Sequence, residues 1–180
     1  MRKLTRNEII YILEDAAIER RTADLSNLDV QGMDLSGIYF GSANLTGSSF
    51  VNVNLVLTKF FAANLTEATF IGCRGSHVSF NSAKVDRTYF YACEFAFSDM
   101  SEMSGYDLSM LNCNLIASNW YDTHITDGDF MGSSLSEASL NNAMFRDTSF
   151  QRVTFSKGTS FNAASFVNCS HLRTSISSTP

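Results

Sequence analysis

The sequence has little of what most chains use to turn, to bind nucleic acid or to cross a membrane. Its 180 residues include one proline and 10 glycines, and 13 Lys and Arg against 18 Asp and Glu give a net charge of −5. Negative charge argues against nucleic acid and anionic membranes as direct ligands. No apolar run approaches the length of a membrane span, and the apolar stretch 9–13 is too short for a signal peptide. These absences favour a cytoplasmic location.

Motifs that carry catalysis are also missing. The sequence has no nucleophile elbow, no phosphate-binding loop and no paired acid and base. Ser, Thr and Asn are abundant, but nothing in the pattern would activate one of their side chains as a nucleophile. His77, His124 and His171 form no motif. The sequence therefore predicts a protein without catalytic residues, cofactor or metal.

What the sequence has instead is a period of five. From Leu25 to Phe155 every fifth residue is large and apolar, except at Gly75 and Gly105. We call these positions the centres. A period of five fits neither an α-helix nor a β-strand, so it marks an internal repeat. The frame shifts by one residue near Gly158 and resumes, with His171 as a weak member, at the centres Phe161, Phe166 and Ile176.

The residues around the centres carry a family resemblance. Two residues before a centre the side chain is usually small, and Asp or Asn often follows it, as in Ala-Asp-Leu at 23–25 and Ala-Asn-Leu at 43–45 and 63–65. This resembles the pentapeptide-repeat family, with its tandem A(D/N)LXX signature, over about residues 23–176. The resemblance implies an all-β solenoid: a right-handed quadrilateral β-helix with four pentapeptides per coil. The centre and the residue two before it would then point inward.

The centres themselves favour four sides. Leu occupies the odd multiples of five from 25 to 65, and Phe occupies the even multiples from 40 to 90. A period of ten in residue type suits a square whose opposite sides match. Residue n would then stack on residue n+20 at the strand spacing of ~4.8 Å. Such a stack buries one continuous core and needs caps at its ends.

The N-terminus predicts one cap. Thr5 and Glu8 have the spacing of a capping box, and a helical apolar stripe follows at Ile9, Leu13, Ala16 and Ala17. We expect an α-helix over about 5–20 that seals the first coil, although a helix that binds a partner is an alternative. The predicted organisation is a cap over 1–22, the β-helix over 23–176 and a frayed tail over 177–180.

Four cysteines occupy the small inward position. Cys73, Cys93 and Cys113 recur at the interval of one predicted coil, and Cys169 falls two before a centre once the frame shift is counted. Thiols stacked as a ladder do not converge on one point, as a metal site requires. We expect four reduced, buried thiols that act as small hydrophobic side chains. The missing centres at Gly75 and Gly105 should be filled by Val78 and by Met103 and Leu108, or else the coil pinches.

One outer column is apolar. The residues after the centres 50, 70, 90, 110 and 130 are apolar, and Gln31 and Gln151 bracket the column. Contiguous exposed apolar area is typical of an interface, although single apolar residues are also tolerated on surfaces. We predict that this column binds a partner: Val51, Ile71, Tyr91, Leu111 and Met131.

A second column is acidic. Between Thr88 and Phe145 there are eight acids and no Lys or Arg. Asp107, Asp127 and Asp147 recur in consecutive predicted coils at one corner, with Asp129 just beyond it. A solvated ridge would explain these acids, but a rim that steers a basic partner fits their position beside the apolar column.

Two functions remain. The first is a non-catalytic interaction module for a protein partner with a basic surface, or for a second copy of the chain. The second follows from the resemblance, because some pentapeptide-repeat proteins mimic DNA, bind DNA gyrase and protect it from quinolones. Other members are bacterial regulators or secreted effector domains, so secretion stays open beside the cytoplasmic location. Neither function involves direct binding to nucleic acid or membrane.

Overall fold

A computed structural model describes residues 1–172; the predicted centre Ile176 and the tail lie outside the described residues. The described part contains one helix and nine three-residue strands. In chain order they are α1 (Arg6–Ile18), β1 (Asp29–Gln31), β2 (Ser49–Val51), β3 (Thr69–Ile71), β4 (Tyr89–Tyr91), β5 (Ser104–Tyr106), β6 (Ser109–Leu111), β7 (His124–Thr126), β8 (Met144–Arg146) and β9 (Ser165–Val167).

The strands form a four-sided solenoid. All pairs are parallel, in one sheet of order β1-β2-β3-β4-β6 and another of order β5-β7-β8-β9. Residue n lies opposite residue n+20, as Phe50 lies opposite Phe70. Single bridges with the same register, such as Asp34 with Asn54 and Tyr39 with Lys59, line the remaining sides. The predicted fold class is confirmed, with about seven turns. We name the sides by their first centres: A (25), B (30), C (35) and D (40).

The corners explain how the chain turns with so few glycines. From Asn27 to Arg152 every fifth residue has a left-handed backbone, and only five of these corner residues are Gly. The backbone N–H of a corner residue bonds to a carbonyl of the next coil, as from Asn27 to Thr46 O at 2.8 Å. Left-handed backbone is costly for most side chains. Here the stacked hydrogen bonds hold it in place, and many corners carry Asn or Asp, which tolerate it best.

The Asp or Asn of the repeat signature stabilises the turn that follows it. Asp24 Oδ1 accepts the backbone N–H of Ser26 at 3.2 Å, and Asn44 Oδ1 accepts that of Thr46 at 3.2 Å. The Asn44 amide also donates to Asp24 Oδ1 at 3.0 Å, one coil below. The side chain thus joins its own turn to the neighbouring coil, which is why this position favours Asp and Asn.

The centres form the core. Those from Leu25 to Phe155 are buried, and Gly105 is the one exception, being half-buried. On side B the rings of Phe50, Phe70 and Phe90 stack with centroids 4.7 Å apart. On side D the Phe60 ring lies in the same way between two neighbours, and it meets Phe70 edge-on at 5.8 Å. Such pairs add about 0.5–1.5 kcal/mol each beyond the area that they bury.

Inward hydroxyls and thiols bond to the backbone of the coil before them. Thr58 Oγ1 donates to Leu35 O at 2.8 Å, and Thr88 Oγ1 donates to Leu65 O at 2.8 Å. The Cys73 thiol contacts Phe50 O in the same manner at 3.3 Å. Throughout residues 1–172 no buried side-chain nitrogen or oxygen lacks a partner. The core therefore accepts Ser, Thr and Cys without an unsatisfied polar group.

The thiol ladder of Cys73, Cys93 and Cys113 is buried. Hydrogen bonding to Cys93 raises the pKa of Cys73, and hydrogen bonding to Cys113 raises the pKa of Cys93 to about 12. The hydrogen bond between Cys93 and Cys113 lowers the pKa of Cys113. Cys169 departs from the prediction: it is only half-buried, because no described coil covers the last one. Within residues 1–172 no three metal-ligating side chains come together.

The two missing centres follow the two predicted alternatives, one filled and one pinched, but the side chains that fill Gly75 are not the one predicted. A Cβ added to Gly75 would lie 3.0 Å from the Phe95 ring and 3.2 Å from Leu55 Cβ, so these side chains, rather than Val78, take the space. A Cβ added to Gly105 would lie 2.8 Å from the backbone carbonyl carbon of Val85. The backbone itself approaches there, and the coil pinches instead of being filled by the neighbours Met103 and Leu108.

The N-terminal cap forms as predicted apart from one residue. Thr5 Oγ1 accepts the Glu8 N–H at 3.3 Å, and Glu8 Oε2 accepts the Thr5 N–H at 2.7 Å, which completes a capping box. Ile9 and Ala16 are buried against the first coil, but Ala17 is exposed, since it lies about 100° further round the helix. At 13 residues, α1 is too short to cross a membrane, and no other described helix could do so.

The frame shift is visible at the other end. The register changes from n+20, as between Ser134 and Thr154, to n+21, as between Ser139 and Ser160. The extra residue lies in a turn closed by the Thr159 N–H on Ser156 O at 3.0 Å. The inward register then resumes.

Candidate protein-binding surface

The apolar column lies on the outer surface of side B. Gln31, Val51, Ile71, Tyr91 and Leu111 are directly opposite one another on β1, β2, β3, β4 and β6. The carbonyl of Met131 accepts the Asn112 N–H at 2.9 Å, which places Met131 next in the column. Tyr91 is 41% exposed and the other four apolar members are half-buried. Each is partly covered by the neighbours stacked above and below it.

Tyr89 belongs to the same surface, although the repeat pattern did not single it out. It precedes the inward Phe90 on β4, and its ring is parallel to that of Tyr91, with centroids 6.3 Å apart. Side chains alternate between the two faces of a strand, so Tyr89 and Tyr91 both point outward on either side of Phe90. The two-residue alternation of β4, rather than the five-residue repeat, indicates this pair. Two parallel rings give side B a rigid aromatic patch of the kind that anchors interfaces.

The acidic edge is Asp107, Asp127 and Asp147, at the corner between sides A and B. All three have left-handed backbone and exposed side chains. Their stacking is fixed by backbone bonds, such as that from the Asp107 N–H to Thr126 O at 3.0 Å. Asp147 Oδ1 accepts the Asn168 amide at 3.0 Å. Within residues 1–172 the carboxylates of Asp107 and Asp127 have no side-chain partner.

The same corner is neutralised nearer the N-terminus. Glu67 and Arg87 form an ion pair at 2.6 Å, and Arg87 also lies 5.3 Å from the centre of the Tyr106 ring. The corner between sides A and B therefore changes, from Arg87 to Asp107, from residues joined in an ion pair to carboxylates without one. Asp129 lies on side B, where its Oδ1 accepts the Met131 N–H at 3.0 Å. Asp129 thus stabilises the turn that presents Met131.

A second acidic row lies across side A from the first. Glu102 and Asp122 occupy left-handed positions at the corner between sides D and A, and both are exposed. Each belongs to the same coil as one member of the acidic edge, Asp107 or Asp127. Like charges at ~4.8 Å repel by about 1 kcal/mol per pair in water-like dielectric. The sequence showed these acids but not their alignment as a row.

Comparison with known proteins supports the fold. The family model described as pentapeptide repeats matches residues 23–60 with 8 copies. A trypsin-treated variant of QnrB1, a plasmid-mediated fluoroquinolone resistance protein, is similar in structure with a TM-score of 0.72 and 18% identity, over 81% of this chain and 78% of that one. Full-length QnrB1 is similar with a TM-score of 0.57 and 17% identity, over 78% of this chain and 83% of that one.

A third structure is more distant. Rfr23, a pentapeptide-repeat protein from the cyanobacterium Cyanothece 51142, has a TM-score of 0.42 and 13% identity, over 84% of this chain and 97% of that one. No curated protein matches the chain in sequence. Eight copies of the repeat match within residues 23–60, and the inward register continues, shifted by one residue near Gly158, through the last described coil. Residues 23–60 therefore match the pentapeptide-repeat family, and the structural neighbours are pentapeptide-repeat proteins.

Proposed function

We propose that the chain is a non-catalytic protein–protein interaction module that presents side B and the acidic edge to a partner protein with a basic surface. One observation carries the proposal: the apolar column and the unpaired acids share the same coils on one side of the rod. Leu111 lies on side B of the coil whose corner is Asp107, and Met131 lies on that of Asp127.

The two features have different roles in binding. Burial of the column would contribute about 25 cal/mol per Å² of apolar area, with the Tyr91 ring as a rigid anchor. The carboxylates at the rim would accelerate encounter with a basic surface and make its rate depend on salt. Two copies docked through side B would each add an acidic edge to the interface, whereas a partner with a basic surface would neutralise it. We therefore favour a basic partner over self-association on side B.

The experiment compares three versions of the protein as immobilised baits in an extract of its own source cells. They are the wild type, Tyr91→Ser/Leu111→Ser, and Asp107→Asn/Asp127→Asn/Asp147→Asn. A partner that uses this surface is retained by the wild type and lost from the Ser variant. It is then purified, and its association with each version is measured by surface plasmon resonance at several salt concentrations.

The expected result separates the two features. The Ser variant should lose most of the affinity, mainly through faster dissociation. The Asn variant should associate about tenfold more slowly at low salt and should show a flatter salt dependence. Thr66→Ser, on the outer surface of side A, is a matched control that should change neither rate. The proposal is wrong if every protein retained by the wild type is retained equally by both variants.

A second candidate is DNA mimicry directed at an enzyme that handles DNA. Two observations favour it: the two acidic rows run in register along both edges of side A, and the fold is similar to that of QnrB1. The resemblance to gyrase-binding members of the family makes DNA gyrase the first enzyme to test. Two parallel rows of negative charge are what a groove evolved for phosphates would accept.

Supercoiling by purified DNA gyrase, with and without a fluoroquinolone, tests this candidate. The wild type should inhibit supercoiling or relieve the drug, and Glu102→Gln/Asp122→Asn/Asp107→Asn/Asp127→Asn should do neither. If the wild type has no effect at tens of micromolar, mimicry of the gyrase substrate is excluded. The Tyr91→Ser/Leu111→Ser variant should behave as the wild type in this assay, which separates the second candidate from the first.

A further inference from the structure

The corner between sides C and D carries an apolar ridge that the repeat does not require. Of the 25 non-glycine residues with left-handed backbone in residues 1–172, only Leu57 and Phe97 are large and apolar. They are 59% and 57% exposed, and both lie on this one corner, two coils apart. Between them lies His77, whose ring stacks on Phe97 with centroids 5.4 Å apart and an angle of 14°. We call these three residues the ridge.

The fold does not require a large apolar side chain at the position of Leu57 or Phe97. A left-handed backbone disfavours bulky side chains, and these side chains are mostly in water. The other corners carry small, polar or charged residues instead. Two exceptions on the same corner therefore indicate a contact made by that corner. Large apolar side chains that project from a rigid ridge are typical anchors of a protein interface.

The charges beside the ridge indicate which partner it contacts. On side D, next to the ridge, one outer column reads Lys59, Ser79 and Asp99 in consecutive coils. On side C the adjacent column reads Val56, Ser76 and Ala96. Both columns are self-complementary, which means that reversing the order of a column sets each residue against one that suits it. Lys59 then corresponds to Asp99, Val56 corresponds to Ala96, and each serine corresponds to itself. A surface with this property fits a second copy of itself turned end over end.

We propose that the chain self-associates through the ridge and side D as an antiparallel dimer, with a two-fold axis at the coil of His77 and Ser79. In this arrangement Leu57 packs on Phe97 of the second copy, and Lys59 pairs with Asp99 of the second copy. Each contact occurs twice, as an isologous interface requires. A parallel arrangement would instead set this column against that of Phe61 in the second copy, so Lys59 would not meet Asp99.

The rest of side D agrees with the same axis. Phe61 and Tyr121 are 44% and 48% exposed there. Reversal about the axis brings Tyr121 to the position of Gly41 in the second copy. Gly41 has no side chain, and the ring of Tyr39 lies directly over it. Tyr121 would therefore meet an aromatic surface where the partner has room for it.

The dimer would leave the partner-binding surface free. The corner between sides C and D is diagonally opposite the acidic edge, and side D is opposite side B. The inference therefore does not depend on the proposed function. It assigns self-association to one corner of the rod and partner binding to the other. The area available is at the small end of specific interfaces, so we expect a dissociation constant of roughly 10–100 µM.

Sedimentation equilibrium on the purified chain tests the ridge. The wild type should be a monomer–dimer mixture across about 1 µM to 1 mM. Leu57→Asn/Phe97→Asn should weaken the dimer at least about tenfold. Asn suits a left-handed corner, so this variant should fold at least as well, as its melting temperature will show. Tyr91→Ser/Leu111→Ser is the matched control and should dimerise like the wild type.

Charge exchange tests the direction of the pair. Lys59→Asp alone and Asp99→Lys alone should each weaken the dimer about five- to tenfold, because each creates two like-charge contacts. The double variant should restore wild-type affinity to within about twofold. Lys already occupies this column at position 59, so the backbone accepts it at 99, and the single Asp99→Lys variant measures the loss of the bonds that Asp99 Oδ1 accepts from Ser101 and Asn119. Circular dichroism verifies that each variant keeps the fold.

Three results would overturn the proposal. The first is a wild-type chain that stays monomeric at about 1 mM. The second is a dimer that the Asn variant does not weaken, which would place self-association elsewhere. The third is a double charge variant as weak as the singles, which would exclude the antiparallel pairing.

Discussion

The two halves of the rod share the inward repeat and differ in the position of their strands, in their core side chains and in the charges at one corner. In the N-terminal half the hydrogen-bonded strands lie on side B, the core combines two phenylalanine stacks with leucines, and Glu67 pairs with Arg87 at the corner. In the C-terminal half most strands move to side A, the core mixes Met and Trp with Phe, and the same corner holds unpaired acids. The inward positions thus determine the fold, while the outward positions are free to carry function.

The largest effect should come from the inward stack. Phe60→Ala removes a ring that lies between two others and should lower the free energy of unfolding by ~3–5 kcal/mol, through the cavity that it leaves. Ile71→Ala, one residue beyond an inward ring, should cost less than about 1.5 kcal/mol because it faces outward. Urea unfolding measures both. Equal losses at the two positions would contradict the division between inward and outward residues.

A smaller effect should separate the two glycine centres. Gly105→Ala forces a methyl group against the backbone of Val85 and should cost about 1–3 kcal/mol. Gly75→Ala meets the Phe95 ring, which can move by a few tenths of an ångström, so its cost should be clearly less. The same unfolding experiment ranks the pair. The reverse ranking would mean that the coil does not pinch at Gly105.

Charge neutralisation should stabilise one half and not the other. Asp107→Asn/Asp127→Asn/Asp147→Asn relieves repulsion between stacked carboxylates and should gain up to about 1 kcal/mol at low salt, falling as salt is added. Glu67→Gln breaks the pair with Arg87 and should gain nothing. Melting temperatures at two salt concentrations test the contrast. A stabilised Glu67→Gln would show that the N-terminal corner is not neutralised.

Thiol chemistry should distinguish the last coil from the middle without changing stability. Only the thiolate reacts, so a raised pKa protects Cys73 and Cys93 at pH 8, and for Cys93 the thiolate becomes abundant only towards pH 12. Burial protects Cys113, whose pKa is lowered, because a reagent cannot reach it. Burial also raises the pKa of Cys169, but a reagent can reach this half-buried thiol. A chromogenic thiol reagent should therefore label about one thiol per chain, faster as the pH rises above 8, and Cys169→Ser should remove that signal. Fast labelling of more than one thiol would contradict the buried ladder.

The sequence predicted the parts of the fold that repetition dictates. The inward register, the stacking of one coil on the next, the cap with its Thr5–Glu8 box and the order of the apolar column all follow from spacing alone. The filling of Gly75 by Phe95 does not, because it depends on which ring rotates into the space. The exposure of Cys169 depends on whether a further coil covers it.

The surface was harder to predict than the core. A period of five sorts residues into inward and outward, but it gives no weight to a bulky residue at a left-handed corner. Spacing alone therefore does not distinguish Leu57 and Phe97 from other corner residues, whereas a large apolar side chain on a left-handed backbone does. Tyr89 was missed for a related reason, since its outward direction comes from the two-residue alternation of β4. The pairing of Glu67 with Arg87 needed the side-chain distance.

The most direct test of the account compares folding and binding in one variant, Tyr91→Ser/Leu111→Ser. The account predicts that its free energy of unfolding falls by less than about 1.5 kcal/mol, while the complex with the partner retained by the wild type is lost. Urea unfolding and plasmon resonance on the same preparation give both values. A variant that unfolds, or one that keeps the complex intact, would contradict the claim that side B is a surface for binding rather than part of the core.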